Sequence, residues 1–190
     1  MSIGKHTAEP ALGSLFEFRK PVAKDGIGLH GLVSRSKPLD VNSVYAYLIL
    51  CEHFSETCVV AQRADADPQS PLSGFVSAYR PPQRADTLFV WQVAVDATAR
   101  GQGLALQMLQ SLLARPALTD VRWIETTINP SNQASIGLFQ RLAQEHNVPI
   151  ENQMIYPAAW FAQANPESAH EAEYLYRLGP LRPNSSSTVF

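Results

Sequence analysis

Between an apolar stretch that ends at Val95 and a second apolar pattern that starts at Leu104, the chain places Arg100-Gly101-Gln102-Gly103-Leu104-Ala105. A strand that runs through glycines into a helix leaves the first backbone N–H groups of that helix without partners. Together with the helix dipole, those donors bind anions such as phosphate. Gly101 and Gly103 remove side chains that would block the approach, and Arg100 adds a positive charge. A glycine turn before a helix also serves as a plain chain reversal, so the loop alone admits two readings, a structural turn or a phosphate cradle. Two other phosphate loops are set aside. The nucleotide P-loop closes on Gly-Lys-Ser/Thr, and no lysine follows Lys37. The dinucleotide fingerprint needs a third glycine, where this chain continues with Leu104-Ala105-Leu106.

Other residues able to do chemistry are scattered. Asp40 lies in "PLDVNS", where an ordinary turn or cap aspartate is expected. His170 and Glu173 stand three residues apart in "HEAE", and as isolated residues they read as an exposed histidine and a solvated glutamate. Gln92 is a polar residue in an apolar strand and needs a partner if buried. Tyr45 and Tyr47 cannot share a helix face two residues apart, so one faces the core and the other faces elsewhere. His6, His30, His53 and His146 have no metal-ligand spacing, and no metal is expected. Cys51 and Cys58, the two cysteines, are read as reduced thiols that pack as small hydrophobes.

The elements that must position these groups follow from hydrophobic period and turn residues. Strands are predicted at 15–21, 57–62, 74–79, 87–95, 121–128 and 172–178, and helices at 25–35, 42–54, 103–113 and 132–145. Residues 148–161 give no clear pattern. Asn42 and Ser43 are read as helix caps. Strand 87–95 is apolar on both sides, with Leu88, Val90, Gln92 and Ala94 opposite Phe89, Trp91, Val93 and Val95. That makes it a central strand. The order predicts an α/β class domain: early strands joined by short turns, a strand–helix–strand crossover, and a central mixed sheet flanked by helices. Residues 1–13 and 181–190 read as disordered tails around a domain at 14–180.

Composition narrows the class. At 190 residues, 45% hydrophobic and 17% charged, the chain has the balance of a globular domain able to bury a core. A net charge of −2 does not point to nucleic acid or an anionic membrane as partner. No apolar run approaches the roughly 18 residues of a membrane span, and "MSIGKHTAEPALGS" lacks the apolar core of a secretory signal. A cytoplasmic location is expected.

"VAVDATARGQGLALQMLQSLL" resembles the acetyl-coenzyme A loop of the GCN5-related N-acetyltransferases, with pattern Arg/Gln-x-x-Gly-x-Gly/Ala carried here by Arg100, Gly103 and Ala105. "NPSNQASIGLFQRLA" is similar to that family's second signature, through Asn132, Ser135, Leu138 and Phe139. The segments "PLDVNSVYAYLILCEHFSETCVVA", "GFVSAYRPPQRADTLFVWQVAVD" and "HEAEYLYRLGP" resemble the branch that acetylates the γ-amine of L-2,4-diaminobutyrate in ectoine synthesis. The resemblance implies that fold, with acetyl-CoA as co-substrate, diaminobutyrate as acceptor and a homodimer. It also implies that the coenzyme meets Val93, Val95, Arg100, Gly101, Gly103, Leu104, Ala105 and Asn132.

The implied chemistry sets demands on the remaining residues. A free amine with a pKa near 10.4 is neutral in only about one molecule in ~10³ at pH 7, so a group must take its proton. By the resemblance, Glu173 accepts that proton and His170 assists or holds a charged end of the substrate, with Glu171 as the neighbour still open. Asp40 leans to ammonium binding, Tyr45 is favoured over Tyr47 as the site tyrosine, and Trp91 is either core or the wall between coenzyme and amine. Many acetyltransferases of this superfamily carry a tyrosine as thiolate acid where this chain has Phe139, so that role is unassigned. A bulge common in this superfamily would reverse the side-chain parity along strand 87–95. The runner-up readings are an acetyltransferase for another small amine or a peptide N-terminus, and a non-catalytic acyl-CoA sensor.

Overall fold

The computed structural model describes residues 15–37, 39–67, 70–164 and 170–182. In chain order the elements are β1 (Phe16–Arg19), α1 (Asp25–Ser34), α2 (Val44–His53), β2 (Val59–Arg63), β3 (Gly74–Tyr79), β4 (Thr87–Val95), α3 (Leu104–Leu113), β5 (Trp123–Ile128), α4 (Gln133–His146), β6 (Ile150–Tyr156), α5 (Ala158–Ala164) and β7 (Glu173–Leu178). The strands form one sheet in the order β1-β2-β3-β4-β5-β7-β6. Only β4 and β5 run parallel among these neighbours, and α3 is the crossover between them. The mixed sheet and crossover are those the sequence predicts. The tail at 1–13 and residues 183–190 lie outside the described residues. Leu181, assigned to the second tail, belongs to the fold: it is buried and its N–H donates to the Arg122 carbonyl at 2.7 Å.

Helices cover both faces of β2, β3 and β4. On one face, α1 and α2 bury Leu29, Leu32, Val33, Tyr47 and Leu50 against Val60, Phe75 and Ala94. On the other, α3 presents Leu104, Met108, Leu109 and Leu112 at one-turn spacing to Val76, Ala78, Leu88 and Val90. Burying each such side chain contributes about 1.5–3 kcal/mol, which is why this strand cannot be an edge.

The parity of β4 does reverse. Ser77 of β3 faces Gln92, but its neighbour Ala78 faces Val90, so Trp91 is the extra residue of a bulge. Before it, Leu88 and Val90 point to the α3 side; after it, Val93 packs on that side while Ala94 joins the α1–α2 core. Trp91 itself is 43% exposed, which removes its reading as core.

Two elements had no signal in the sequence for a physical reason. β6 is an edge strand, exposed or half-buried at every position, so it lacks alternation. No residue of α5 is buried, so it lacks an apolar stripe.

A half-buried cation ties α2 to β2. Arg115, just past α3, donates from Nη1 to the carbonyls of Ser55 (3.0 Å), Glu56 (2.9 Å) and Cys58 (2.7 Å). Arg115→Met should lower stability by about 1–3 kcal/mol by leaving those acceptors bare, seen as a fall of several degrees in Tm. An unaltered Tm would show that water replaces the guanidinium at no cost.

Candidate active site

Pairing between β4 and β5 stops early. The parallel register runs from Thr87↔Trp123 to Phe89↔Glu125, while β5 continues alongside β7 to Ile128↔Tyr174. Past Phe89 the two strands part at the Trp91 bulge, and the β5-facing edge of β4 from Trp91 to Val95 is open. Three clefts line this gap in series. One of about 360 Å3 lies at Gly101, Gly103 and Leu104. It shares Val95, Arg100, Ala105 and Leu138 with a second of about 290 Å3, which also meets Val93. The second shares Leu39 and Asn132 with a third of about 440 Å3 that holds Asp40, Trp91, His170 and Glu173. The track thus runs from the glycine loop, along β4, to the acidic end.

The loop end has the geometry an anion needs. Gly101 and Gly103 have φ of 75° and 71°, in the left-handed region, and Gly103 caps α3 without a side chain. Gly103 and the first turn of α3, Leu104 to Leu106, line the cleft, and Arg100 is anchored by Nε to the Val95 carbonyl at 3.3 Å. Asn132 caps α4, its side chain accepting from the Ser135 N–H at 3.1 Å.

At the acidic end, α1–α2 residues, the bulge and the start of β7 converge. His170 Nε2 lies 3.9 Å from both Asp40 Oδ2 and Glu173 Oε1. Its Nδ1 donates to the Glu171 carbonyl at 2.8 Å, which leaves Nε2 free to face the two carboxylates. Phe161 stacks on the imidazole with ring centroids 3.9 Å apart. Glu171 accepts from the Ser131 N–H at 3.1 Å and also lines the cleft. Burial raises the Glu173 pKa above the ordinary carboxylate value; His170 opposes the shift, and Asp40 and Glu171 add to it. Asp40 is the solvent-facing member, with its side chain 89% exposed.

Of the residues expected at the site, Asp40, Trp91, His170 and Glu173 line the acidic cleft, and Val93, Val95, Arg100, Gly101, Gly103, Leu104, Ala105 and Asn132 line the rest of the track. Tyr45 is not brought to the lining: on the first turn of α2 it is 71% exposed, while Tyr47 is buried behind the cleft. Asn42 is not a cap. Ser43 is, accepting from the Ala46 N–H at 3.2 Å, and Asn42 lines the acidic cleft. Ser36 and Lys37 also reach the track, with no pattern in the sequence to announce them. Phe139 is buried, so it offers neither a proton nor a surface to the cleft. Among the described residues, no group of three or more His, Cys, Asp or Glu side chains is placed to hold a metal ion, and no helix is long and apolar enough to cross a membrane.

Known proteins resemble this chain over most of its length. Residues 29–143 match the Acetyltransferase (GNAT) family. The chain is 43% identical over 178 residues to the L-2,4-diaminobutyric acid acetyltransferase of Halalkalibacterium halodurans, covering 93% of this chain and 89% of that one. It is 47% identical over 164 residues to the protein of the same name from Methylotuvimicrobium alcaliphilum, covering 86% and 90%. Among solved structures, it superposes with a TM-score of 0.79 and 39% identity on diaminobutyrate acetyltransferase EctA from Paenibacillus lautus, in complex with L-2,4-diaminobutyric acid and coenzyme A. That match covers 88% of this chain and 96% of the other.

Proposed function

The chain belongs to the Acetyltransferase (GNAT) family and, within it, to the L-2,4-diaminobutyric acid acetyltransferases, and from that premise we propose how its own residues perform the reaction. The enzyme transfers acetyl from acetyl-CoA to the γ-amine of L-2,4-diaminobutyrate, giving N-γ-acetyl-diaminobutyrate, a step of ectoine synthesis. The observation that carries the assignment of residues is the meeting of Asp40, Glu173 and His170 on a cleft continuous with the glycine loop. At neutral pH the acceptor bears two ammonium groups and one carboxylate. A cleft with Asp40, Glu171 and Glu173 suits that net positive charge.

The coenzyme diphosphate sits on the N–H groups around Gly101–Gly103, with Arg100 beside it, and the pantetheine arm pairs along the open edge at Val93 and Val95. Trp91 then walls the junction where thioester and amine meet. Asp40 holds the α-ammonium. Glu173, made more basic by burial, takes a proton from the γ-ammonium directly or through water, and His170 steadies that carboxylate and the charge passing between them. The freed nitrogen attacks the thioester carbon to give a tetrahedral oxyanion whose nitrogen still carries an extra proton. That proton passes to solvent as the C–S bond breaks and the carbonyl re-forms, and coenzyme A leaves as a thiolate that takes a proton from solvent. A thiolate of pKa ~8.5 is a tolerable leaving group, which suits a site with phenylalanine at 139.

Transfer is direct. Cys51 and Cys58 are buried in the α1–α2 core, and burial pushes their thiols up to about 12 and about 11, so neither is a nucleophile. Tyr45, exposed on the first turn of α2 a few residues after Asp40, is assigned to the solvent-facing mouth of the site. The enzyme is placed in the cytoplasm and acts as a homodimer; the exposed Met154, Tyr156 and Trp160 of β6 and α5 support that assembly.

Thiol release measured with diaminobutyrate, ornithine, lysine and a peptide tests the reading. Diaminobutyrate should give by far the highest kcat/KM, with acetylation at the γ-nitrogen. Tight acetyl-CoA binding without thiol release from any amine would overturn it.

A further inference from the structure

Gln92 follows the bulge and is 5% exposed, and both the oxygen and the nitrogen of its amide have hydrogen-bond partners. Its Oε1 accepts from the Tyr47 hydroxyl at 3.3 Å and its Nε2 donates to the Asp40 carbonyl at 2.8 Å. Tyr47, wholly buried, accepts in turn from the Asn42 N–H at 3.3 Å. The Gln92 N–H donates to Ser77 Oγ at 3.1 Å, across the bulge itself. Residues 40 and 42 are therefore bolted to the same point of β4 that presents Trp91. This matters because the Asp40 carboxylate is exposed and lies 3.9 Å from His170 Nε2, beyond hydrogen-bond distance. Its backbone anchor sets where it stands.

We propose that Gln92 and Tyr47 are positioning residues that fix the span between Asp40 and the Glu173–His170 pair, and so select the length of the diamine. The inference rests on the assignment of Asp40 to the α-ammonium and of Glu173 to the reacting amine, and deepens it. With the two ends held apart by a buried hydrogen-bonded chain, a diamine one methylene longer or shorter misplaces its nucleophile or loses its ion pair. Breaking the chain leaves a buried acceptor bare and lets the strap move, which relaxes the span rather than the chemistry.

The test is steady-state kinetics of wild type, Tyr47→Phe, Gln92→Leu and the double variant with 2,3-diaminopropionate, 2,4-diaminobutyrate and ornithine. Either single change should raise KM for diaminobutyrate by about tenfold, the worth of one good hydrogen bond. It should leave acetyl-CoA affinity unaltered and narrow the kcat/KM preference over ornithine by a similar factor. The double variant should be little worse than Gln92→Leu, because the residues act as one unit. Tyr47→Phe keeps the ring and its packing, so it carries the test should Gln92→Leu fold poorly. A fall in Tm with the same preference among the three diamines means a structural role only and overturns the inference alone. A wild type inert toward diaminobutyrate overturns it together with the assignment of the site.

Discussion

Glu173→Gln should lower kcat by about 10²–10⁴-fold, the usual worth of a positioned general base, while acetyl-CoA binds as before. The amide is isosteric and still hydrogen-bonds, so the loss isolates proton acceptance. Two pH effects accompany it. Because burial holds the Glu173 pKa above the ordinary carboxylate value, the acid limb of the wild-type kcat/KM profile should lie above that range and vanish in the variant. The second effect concerns stability. A carboxyl whose folded pKa is raised favours the fold in its protonated form, so its contribution is intact below the unfolded pKa and is lost as pH rises through the folded one. The glutamine variant should therefore melt higher than wild type at pH 7, with the gap closing near pH ~4. Loss of acetyl-CoA affinity in step with kcat, or an acid limb that survives the substitution, would remove Glu173 from the role of base.

Gly103→Val should weaken acetyl-CoA binding by roughly ten- to a hundredfold and leave diaminobutyrate KM close to wild type. At φ 71° a β-branched side chain is strained, at a cost on the order of 1–3 kcal/mol. The turn relieves it by swinging the N–H groups of α3 away from the diphosphate. Space is not the obstacle, since a Cβ there first meets Gln107 at 3.5 Å. Gly103→Asn is the control, because asparagine tolerates the left-handed region. It should keep most of the affinity, as measured by calorimetric titration. Equal damage from both substitutions would show that the side chain, not the backbone angle, decides binding.

These two sites differ in how readable they were. The loop assigned to the coenzyme is contiguous, one strand, two glycines and one helix, so its shape is readable from local order in the chain, although the glycines alone also fit a plain turn. The acceptor end joins the α1–α2 strap, a bulge and the entry to β7, which lie up to 133 positions apart in the chain (Asp40 to Glu173). Taken singly, Asp40, His170 and Glu173 look like solvated polar residues, and they became site residues only through resemblance to a family. Lys37 carried no pattern at all, Asn42 carried that of a helix cap, and Tyr45 is exposed and absent from the lining it was expected to join.

By itself the sequence determined the order and types of most elements, the mixed sheet, the crossover and the glycine loop, because hydrophobic period and glycine placement act over a few residues. Tertiary structure alone decided the rest. The extra residue at Trp91 turned over the faces of β4 and opened its edge, and the Gln92–Tyr47 chain fixed where Asp40 stands. Both depend on which strands pair and where pairing stops. Burial then raised the Glu173 pKa, a property of the assembled cleft. Period-two patterning cannot carry that information, since a single inserted residue inverts every side chain that follows.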